Sequence, residues 1–370
     1  MDAVTAESAI GSETGAGGGL AALRLRSHRL TAPAPSLVDA AQHMLAVQSQ
    51  EFWGGRWALA SRTAGAPTIR DVDALFDAGV IVRAWTQRGT LHIVPARDLR
   101  WVLGITGERQ FRQAAARHRA LGLDEAVFSR CEAAITAALR GGDRLTRAEL
   151  FEVVRGLGID PANQRGVHII YALAVRGIIC QGPVVPREGG PSREQSFVLV
   201  DEWVKDDAPT PSDPVAALFT RFVAAHGPAT AADFSWWSGL PLTPSRIAAQ
   251  TAAPGLAEVA VGVYVSREPA EVDPDAVTVF ALPPFEEYYI SYADRDAVCA
   301  PEFRAPIGPG KNGMVRPILV AHGQVVGSWL ASTALGRHAD GPVPELLAPG
   351  AATKGEVGAA LDRYRAFITG

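Results

Sequence analysis

Two carboxamides one residue apart, Gln48 and Gln50, are the side chains of this sequence whose type and spacing most suggest chemistry. They close an amphipathic segment, Pro35 to Val47, in which Leu37, Ala41, Met44 and Leu45 recur at helical spacing. Gln48 continues that stripe where an apolar residue would sit. An inward amide costs free energy unless it is hydrogen-bonded, so Gln48 needs a partner or a task. Residues two apart do not share a helix face. Both amides converge only if the helix ends near Val47 and the chain turns, which Gly54-Gly55 allow. Glutamine cannot usefully take a proton from water. It offers a fixed carbonyl dipole and two N–H donors. That equipment suits a reaction whose leaving group is already activated. A hydrogen-bonded pair at a helix C-terminus is the competing reading.

Further candidates are basic. Arg88 and His92 flank a hairpin, with Thr90 between them, and Arg56 follows the glutamines. Arg165 opens a recognition-like helix. Each suits contact with phosphate or a groove. A solvated turn residue is the alternative for Arg88, and a core histidine for His92. Arg97, Arg100, Arg109, Arg112, Arg117 and Arg119 form a run that reads as a solvated face or a phosphate track. Phe52-Trp53 reads as core. Glu286-Glu287 on a strand would point apart, which argues against an acid–base pair. No clustered aromatic cage accompanies Gln48, so no deep base pocket is expected.

The 370 residues carry a formal charge of −4, distributed unevenly. Residues 20–122 hold fourteen Arg against seven acidic residues, whereas 123–210 and 211–370 are net acidic. A basic module on an acidic body points to nucleic acid through its first third. Cys131, Cys180 and Cys299 are isolated, which fits a reducing cytoplasm and gives no metal spacing. Neither a metal nor a cofactor is expected, since no Walker loop, strand–GxGxxG–helix unit or HExxH occurs. No apolar run reaches membrane-spanning length. The Gly-rich residues 1–22 read as a disordered leader.

These residues must be positioned by repeated units of helices followed by a strand–turn–strand. In residues 23–122, helical runs at 36–47, near 55–62 and at 70–78 precede a hairpin across Gln87-Arg88-Gly89. In 123–206, Thr146 to Glu149 forms a capping box, Asn163 caps a helix turning Val167, Ile170, Tyr171 and Ala174 inward, and Ile178–Gln181 and Gln195–Val200 are strands. In 207–370, Thr230 to Phe234 repeats the cap, Thr243-Pro244 starts the next helix, and Val259–Val265 and Val277–Leu282 supply strands. Asp201–Pro214 is the best linker. The expected fold is α+β: three tandem winged helices with a C-terminal β-rich extension, a hairpin and a helix. A winged-helix transcription regulator without catalysis shares this layout, although three units in one chain make dimerisation unnecessary.

Leu45-Ala46-Val47-Gln48-Ser49-Gln50 resembles the catalytic Gln-x-Gln motif of AlkZ-like DNA glycosylases. Trp85 to Ala96 is similar to that family's following hairpin, Phe234 to Leu240 to its tryptophan-rich helix, and Pro283 to Tyr288 with Asp294-Arg295 to its C-terminal signature. Val326-Gly327-Ser328-Trp329 matches a late strand, so the resemblance runs from about 24 to 368. It implies three winged helices in a C shape around duplex DNA and monofunctional excision of N-alkylated purines, including bulky adducts and interstrand crosslinks. It implies Gln48 and Gln50 as catalytic residues of a monomer, often one that protects a producer from its own alkylating product. The chemistry agrees. An N7- or N3-alkylated purine is a cation that leaves readily, and needs only a positioned water and negative potential near the sugar.

Overall fold

A computed structural model describes residues 16–188, 191–205, 208–268, 271, 277–311, 313–330 and 341–370. The chain is α+β. Helix α1, Ala16–Ser27, already occupies the end of the expected leader, whose first fifteen residues lie outside the described residues. It is held because Ala21 and Leu25 are buried and Arg24 lies 3.6 Å over the Tyr292 ring.

The first unit comprises α2 (Leu37–Met44), β1 (Val47–Gln48), α3 (Phe52–Ala60), α4 (Ile69–Asp77), β2 (Ile81–Gln87) and β3 (Thr90–Pro95). Two of its helices, α2 and α4, start where oxygen side chains satisfy the free N–H groups: Ser36 accepts from Asp39, and Thr68 forms a capping box with Asp71. Helices α5 (Leu99–Gln113) and α6 (Ala115–Ala120) lead to the second unit. This has α7 (Glu125–Leu139), α8 (Arg147–Gly156), α9 (Arg165–Val175), β4 (Ile179–Val184) and β5 (Gln195–Leu199). A short turn, α10 (Val200–Trp203), follows. The third unit has α11 (Pro214–His226), β6 (Ala229–Thr230), α12 (Ala231–Ser238), α13 (Leu242–Ala252), β7 (Leu256–Ala260) and β8 (Val263–Ser266).

One topology repeats through all three. A short extended segment between the first and second helices pairs antiparallel with the hairpin's second strand: β1 with β3, Leu145 with Phe197, and β6 with β8. The first two hairpins also join, through Arg83 opposite Gln181, into one sheet of order β1-β3-β2-β4-β5. Several expectations need correction. Asn163 does not cap α9, whose N-cap is Gln164 in a left-handed conformation without a side-chain bond. Val167 is 40 % exposed, and the apolar face of α9 is carried by Ile169, Ile170 and Leu173. Val259–Val265 is broken into β7 and β8 at Gly262, where φ is +72°. The expected linker starts as α10, buries Val204, and has its Ala208 N–H bonded to Arg97 O, because apolar residues interrupt its Asp/Pro pattern.

Strand β9, Val279–Leu282, leaves the third unit for a separate sheet with β10 (Ile318–Ala321), β11 (Gln324–Leu330) and β12 (Val343–Leu346). Two further helical segments, α14 (Glu287–Ile290) and α15 (Pro301–Ile307), lie between β9 and β10. The sheet and a C-terminal helix, Lys354–Thr369, share a core with the first unit. Trp57 and Trp329 donate from Nε1 to Ala281 O and Leu282 O at 2.7 and 2.8 Å. Tyr364 packs edge-on against Trp53, Trp57 and Trp329. The end of the chain thus buttresses the segment that carries the glutamines.

Candidate active site

Helix α2 stops at Met44, three residues before the expected end. Leu45 adopts φ +60°, and the chain leaves the helix to form β1, with Val47 opposite Ile93 and Gln48 opposite His92. Along an extended strand, side chains alternate between faces. Gln48 and Gln50 therefore share a face, while Ser49 turns into the protein, fully buried. Its N–H donates to Leu91 O at 2.7 Å. Convergence needs no turn at Gly54-Gly55, which lie within α3. Gly55 is required by close approach: a Cβ there would lie 2.3 Å from Ser49 Oγ.

The two amides are held differently. Gln48 is 7 % exposed. Its N–H donates to Glu287 Oε1 at 2.7 Å, and its Oε1 accepts from Arg88 Nη2 at 2.8 Å. A guanidinium has donors only, so the atom facing Arg88 must be the Gln48 oxygen, and the amide N–H groups remain for another contact. Gln50 is exposed. Its Oε1 accepts only a long bond, 3.4 Å, from Leu91 N–H, while its main-chain oxygen accepts from Arg83 Nη2 at 3.2 Å. Arg83 Nε also donates to Ser49 O at 2.8 Å. The backbone is fixed and the Gln50 carbonyl retains acceptor capacity.

Both amides line an open cleft of about 420 Å³ with Arg88 and Thr90 of the first hairpin, Trp236 of α12, and Arg295. Arg88 and Gly89, at φ +51° and +72°, make the two-residue turn that suits a twisted hairpin. Gln110 on α5 accepts the Gly89 N–H at 2.9 Å and donates to Thr86 O at 2.9 Å, so the turn is anchored from outside its unit. Trp236 is 47 % exposed and its indole N–H is fixed to Ile290 O at 2.7 Å. The third unit thus brings a single aromatic surface to the cleft of Gln48, which local sequence did not signal.

The basic candidates separate by burial. Arg88 and Thr90 lie in the cleft, both half-buried. Arg56 is 1 % exposed, forks onto Asp73 at 2.7 and 3.0 Å, donates to Ser192 O and stacks on Phe52; it is a structural residue and not a groove contact. His92 is fully buried behind Gln48, with Nδ1 3.1 Å from Thr86 Oγ1. Burial, then the Arg88 charge, pull its pKa to about 3, so it is a neutral core histidine. Half-buried Arg165 sits in the first turn of α9 and is not part of the cleft lining. In the arginine run, Arg100 pairs with Asp201, Arg109 holds Gly239 O, and Arg112, Arg117 and Arg119 are exposed. Phe52 is core, and Trp53 packs against Trp329 and Tyr364.

Sequence reasoning missed Glu287, which lies at the start of a helical turn and not on a strand. It is fully buried. Burial alone raises a carboxyl pKa, but the close approach of His226, followed by Arg88 and His92, brings this one down to about 2. Adjacent Glu286, also buried, turns instead to Arg62. The signals were the pairing of two acids beside the aromatic Phe285 and Tyr288 and the family resemblance of Pro283 to Tyr288, neither of which assigns Glu287 a role. The partner of Glu287 is 239 residues away, beyond any local pattern.

Comparison with known proteins gives the family and the fold. The family model "DNA glycosylase AlkZ-like" matches residues 41–367, spanning both the glutamines and Glu287. A Streptomyces sahachiroi protein described as "Interstrand DNA cross-link repair glycosylase" is 25% identical over 315 residues, covering 80% of this chain and 82% of its own. The solved structure of Streptomyces sahachiroi DNA glycosylase AlkZ matches with a TM-score of 0.74 at 21% identity, over 96% of this chain and 97% of that one, a likeness of fold. With the family's model matched over most of its length, the chain belongs to the AlkZ-like DNA glycosylases.

Proposed function

We propose that this protein is a monofunctional glycosylase that hydrolyses the N-glycosidic bond of cationic N-alkylated purines in duplex DNA, bulky adducts and interstrand crosslinks included. The observation that carries the reading is the shared face of Gln48 and Gln50 in the open cleft, with the Gln48 oxygen committed to Arg88 and the Gln50 oxygen nearly free. Gln50 accepts a hydrogen bond from a water and holds it for attack on the anomeric carbon. Gln48 directs its remaining N–H groups toward that water or toward the Gln50 carbonyl. The C–N bond breaks with its electron pair moving to the positively charged purine, which leaves neutral. The attacking water loses its proton to solvent. No side chain has to act as an acid on the base, which restricts the enzyme to charged adducts and excludes normal bases and uracil.

The three helix–hairpin units curve around the duplex as a monomer, and Arg88 and Thr90 approach its backbone beside the lesion. Self-protection against a DNA-alkylating natural product, in a cytoplasmic setting, is the role that fits this substrate range. The test is incubation of the pure protein with duplex DNA alkylated at guanine N7. Free N7-alkylguanine and an abasic strand are expected. Tight binding with no base released would replace the enzyme by a DNA-binding regulator.

A further inference from the structure

The cleft poses a charge problem. It is lined by two guanidiniums, Arg88 and Arg295, and by no carboxylate among the described residues. The reaction proposed above, on which this inference rests, needs the opposite: its sugar becomes oxocarbenium-like, and positive charge grows beside those arginines. An anion is needed near Gln48, and the surface of the cleft does not supply one.

One stands directly behind it. Glu287 Oε1 accepts the Gln48 main-chain N–H at 2.7 Å. Its Oε2 accepts from Trp237 Nε1 at 3.2 Å and from Ser291 Oγ, and lies 3.4 Å from His226 Nε2. The first unit, α11, α12 and the C-terminal region therefore meet on one carboxyl group. Donors to both oxygens favour its charged form. Its neighbour differs in kind: Glu286 is paired with buried Arg62, which cancels its charge locally. Among the described residues no guanidinium is in salt-bridge contact with Glu287; its titratable neighbour is His226, whose ring cancels the charge only when protonated. Arg88 is bonded instead to the side-chain oxygen of Gln48. Gln48 is thus held at its two ends by opposite charges, a carboxylate on its N–H and a guanidinium on its carbonyl.

We propose that Glu287 is the counter-charge of the reaction, a positioning residue that fixes the strand carrying both glutamines and supplies the negative potential that a cationic sugar requires. The anion acts from behind Gln48 without touching substrate. Buried, it keeps its field in a low-dielectric setting where preorganised charge acts most strongly. Its enclosure also prevents it from attacking the sugar, which keeps water as the nucleophile.

The experiment compares the affinity of the full-length protein for two duplexes. One carries a pyrrolidine abasic analogue, cationic beside the anomeric position. The other carries the neutral tetrahydrofuran analogue. Wild type should prefer the cationic duplex. Glu287→Gln, which keeps the shape and an acceptor for Gln48, should lose most of that preference while binding the neutral duplex as before. It should also lower single-turnover excision by about 10²-fold, the loss typical of one preorganised electrostatic contact. A merely structural carboxylate would weaken both duplexes alike. Full preference in Glu287→Gln overturns the proposal and leaves the glycosylase reading intact if wild type releases base. Absence of base release by wild type overturns that reading and this inference together. Should Glu287→Gln fail to fold, Glu287→Asp decides: retained preference supports the counter-charge, and lost preference in a folded protein overturns it.

Discussion

At the scale of residues, the two amides divide the work by which of their atoms are already engaged. Gln50→Ala removes the less engaged amide oxygen of the pair, which accepts a bond of 3.4 Å where that of Gln48 accepts one of 2.8 Å, so excision should fall by roughly 10²–10³-fold while duplex affinity and melting temperature hold. Gln48→Ala should slow the reaction and also destabilise the fold, because Arg88 loses its acceptor beside a buried strand. Gln50→Asp should keep or raise activity on cationic adducts, since a carboxylate can hold the same water. Single-turnover release of N7-alkylguanine measures all three. Undiminished release by Gln50→Ala would remove the motif from the mechanism.

At the scale of elements, the site depends on a two-residue strand, and strand β1 depends on a glycine. A Cβ at position 55 would fall 2.3 Å from Ser49 Oγ, 2.6 Å from Ser49 Cβ and 2.9 Å from Ile93 Cδ1. Gly55→Ala should cost about 1–3 kcal/mol, as overpacking does, and should lower excision by displacing Gln48 and Gln50. Adding Ser49→Gly should restore melting temperature and part of the rate. Ser49→Ala should not, because the clash with Cβ persists. If Gly55→Ala melts and reacts like wild type, the close approach does not govern the strand. This element also shows how far the sequence could be read. The capping boxes at Thr146 and Thr230 and the turn at Arg88-Gly89 were legible because each is a local pattern. The early end of α2 was not, because Leu45 takes a conformation that its residue type disfavours. Glu287, Trp236 and the return of β9 to the first unit were hidden for a further reason: their partners lie far along the chain, and distant packing leaves no periodicity.

At the scale of the whole molecule, buried charge sets both acid stability and DNA affinity. Burial is the main cause that lowers the pKa of His28 well below its usual value, of His43 to about 4 and of His92 to about 3. Unfolded, each returns to about 6.5. Below that value the unfolded chain binds protons that the native state refuses, so stability is complete above about 6.5 and falls as pH drops toward 4. Each histidine contributes about 1.4 kcal/mol per pH unit within that window. Glu287 adds a loss of the same sign at lower pH, between its unfolded value and about 2. Denaturant midpoints at pH 7.5 and 5 should differ clearly, and equal midpoints would mean that these rings are hydrated in solution.

The basic surplus of the first third is not all surface. Arg24, Arg56, Arg62 and Arg83 are 0–7 % exposed and tie the fold together, so they cannot release counterions from DNA. The arginines left for phosphate are those with exposed side chains, above all Arg112, Arg117 and Arg119 at the junction of α5 and α6. Among the described residues Arg112 is committed only to an exposed pair with Glu108, and Arg117 to Gln164. Such surface contacts hold their partners weakly, so phosphate can replace them. Each phosphate contact adds about −0.9 to the slope of log affinity against log salt on B-DNA. Replacing all three by alanine should therefore make the slope shallower by about 2–3 and weaken binding to damaged and undamaged duplexes equally. Excision from saturated complexes should be unchanged, because none of the three lines the cleft. An unaltered slope would move the phosphate track to another face of the protein, and a selective loss on damaged duplex would place these arginines at the lesion.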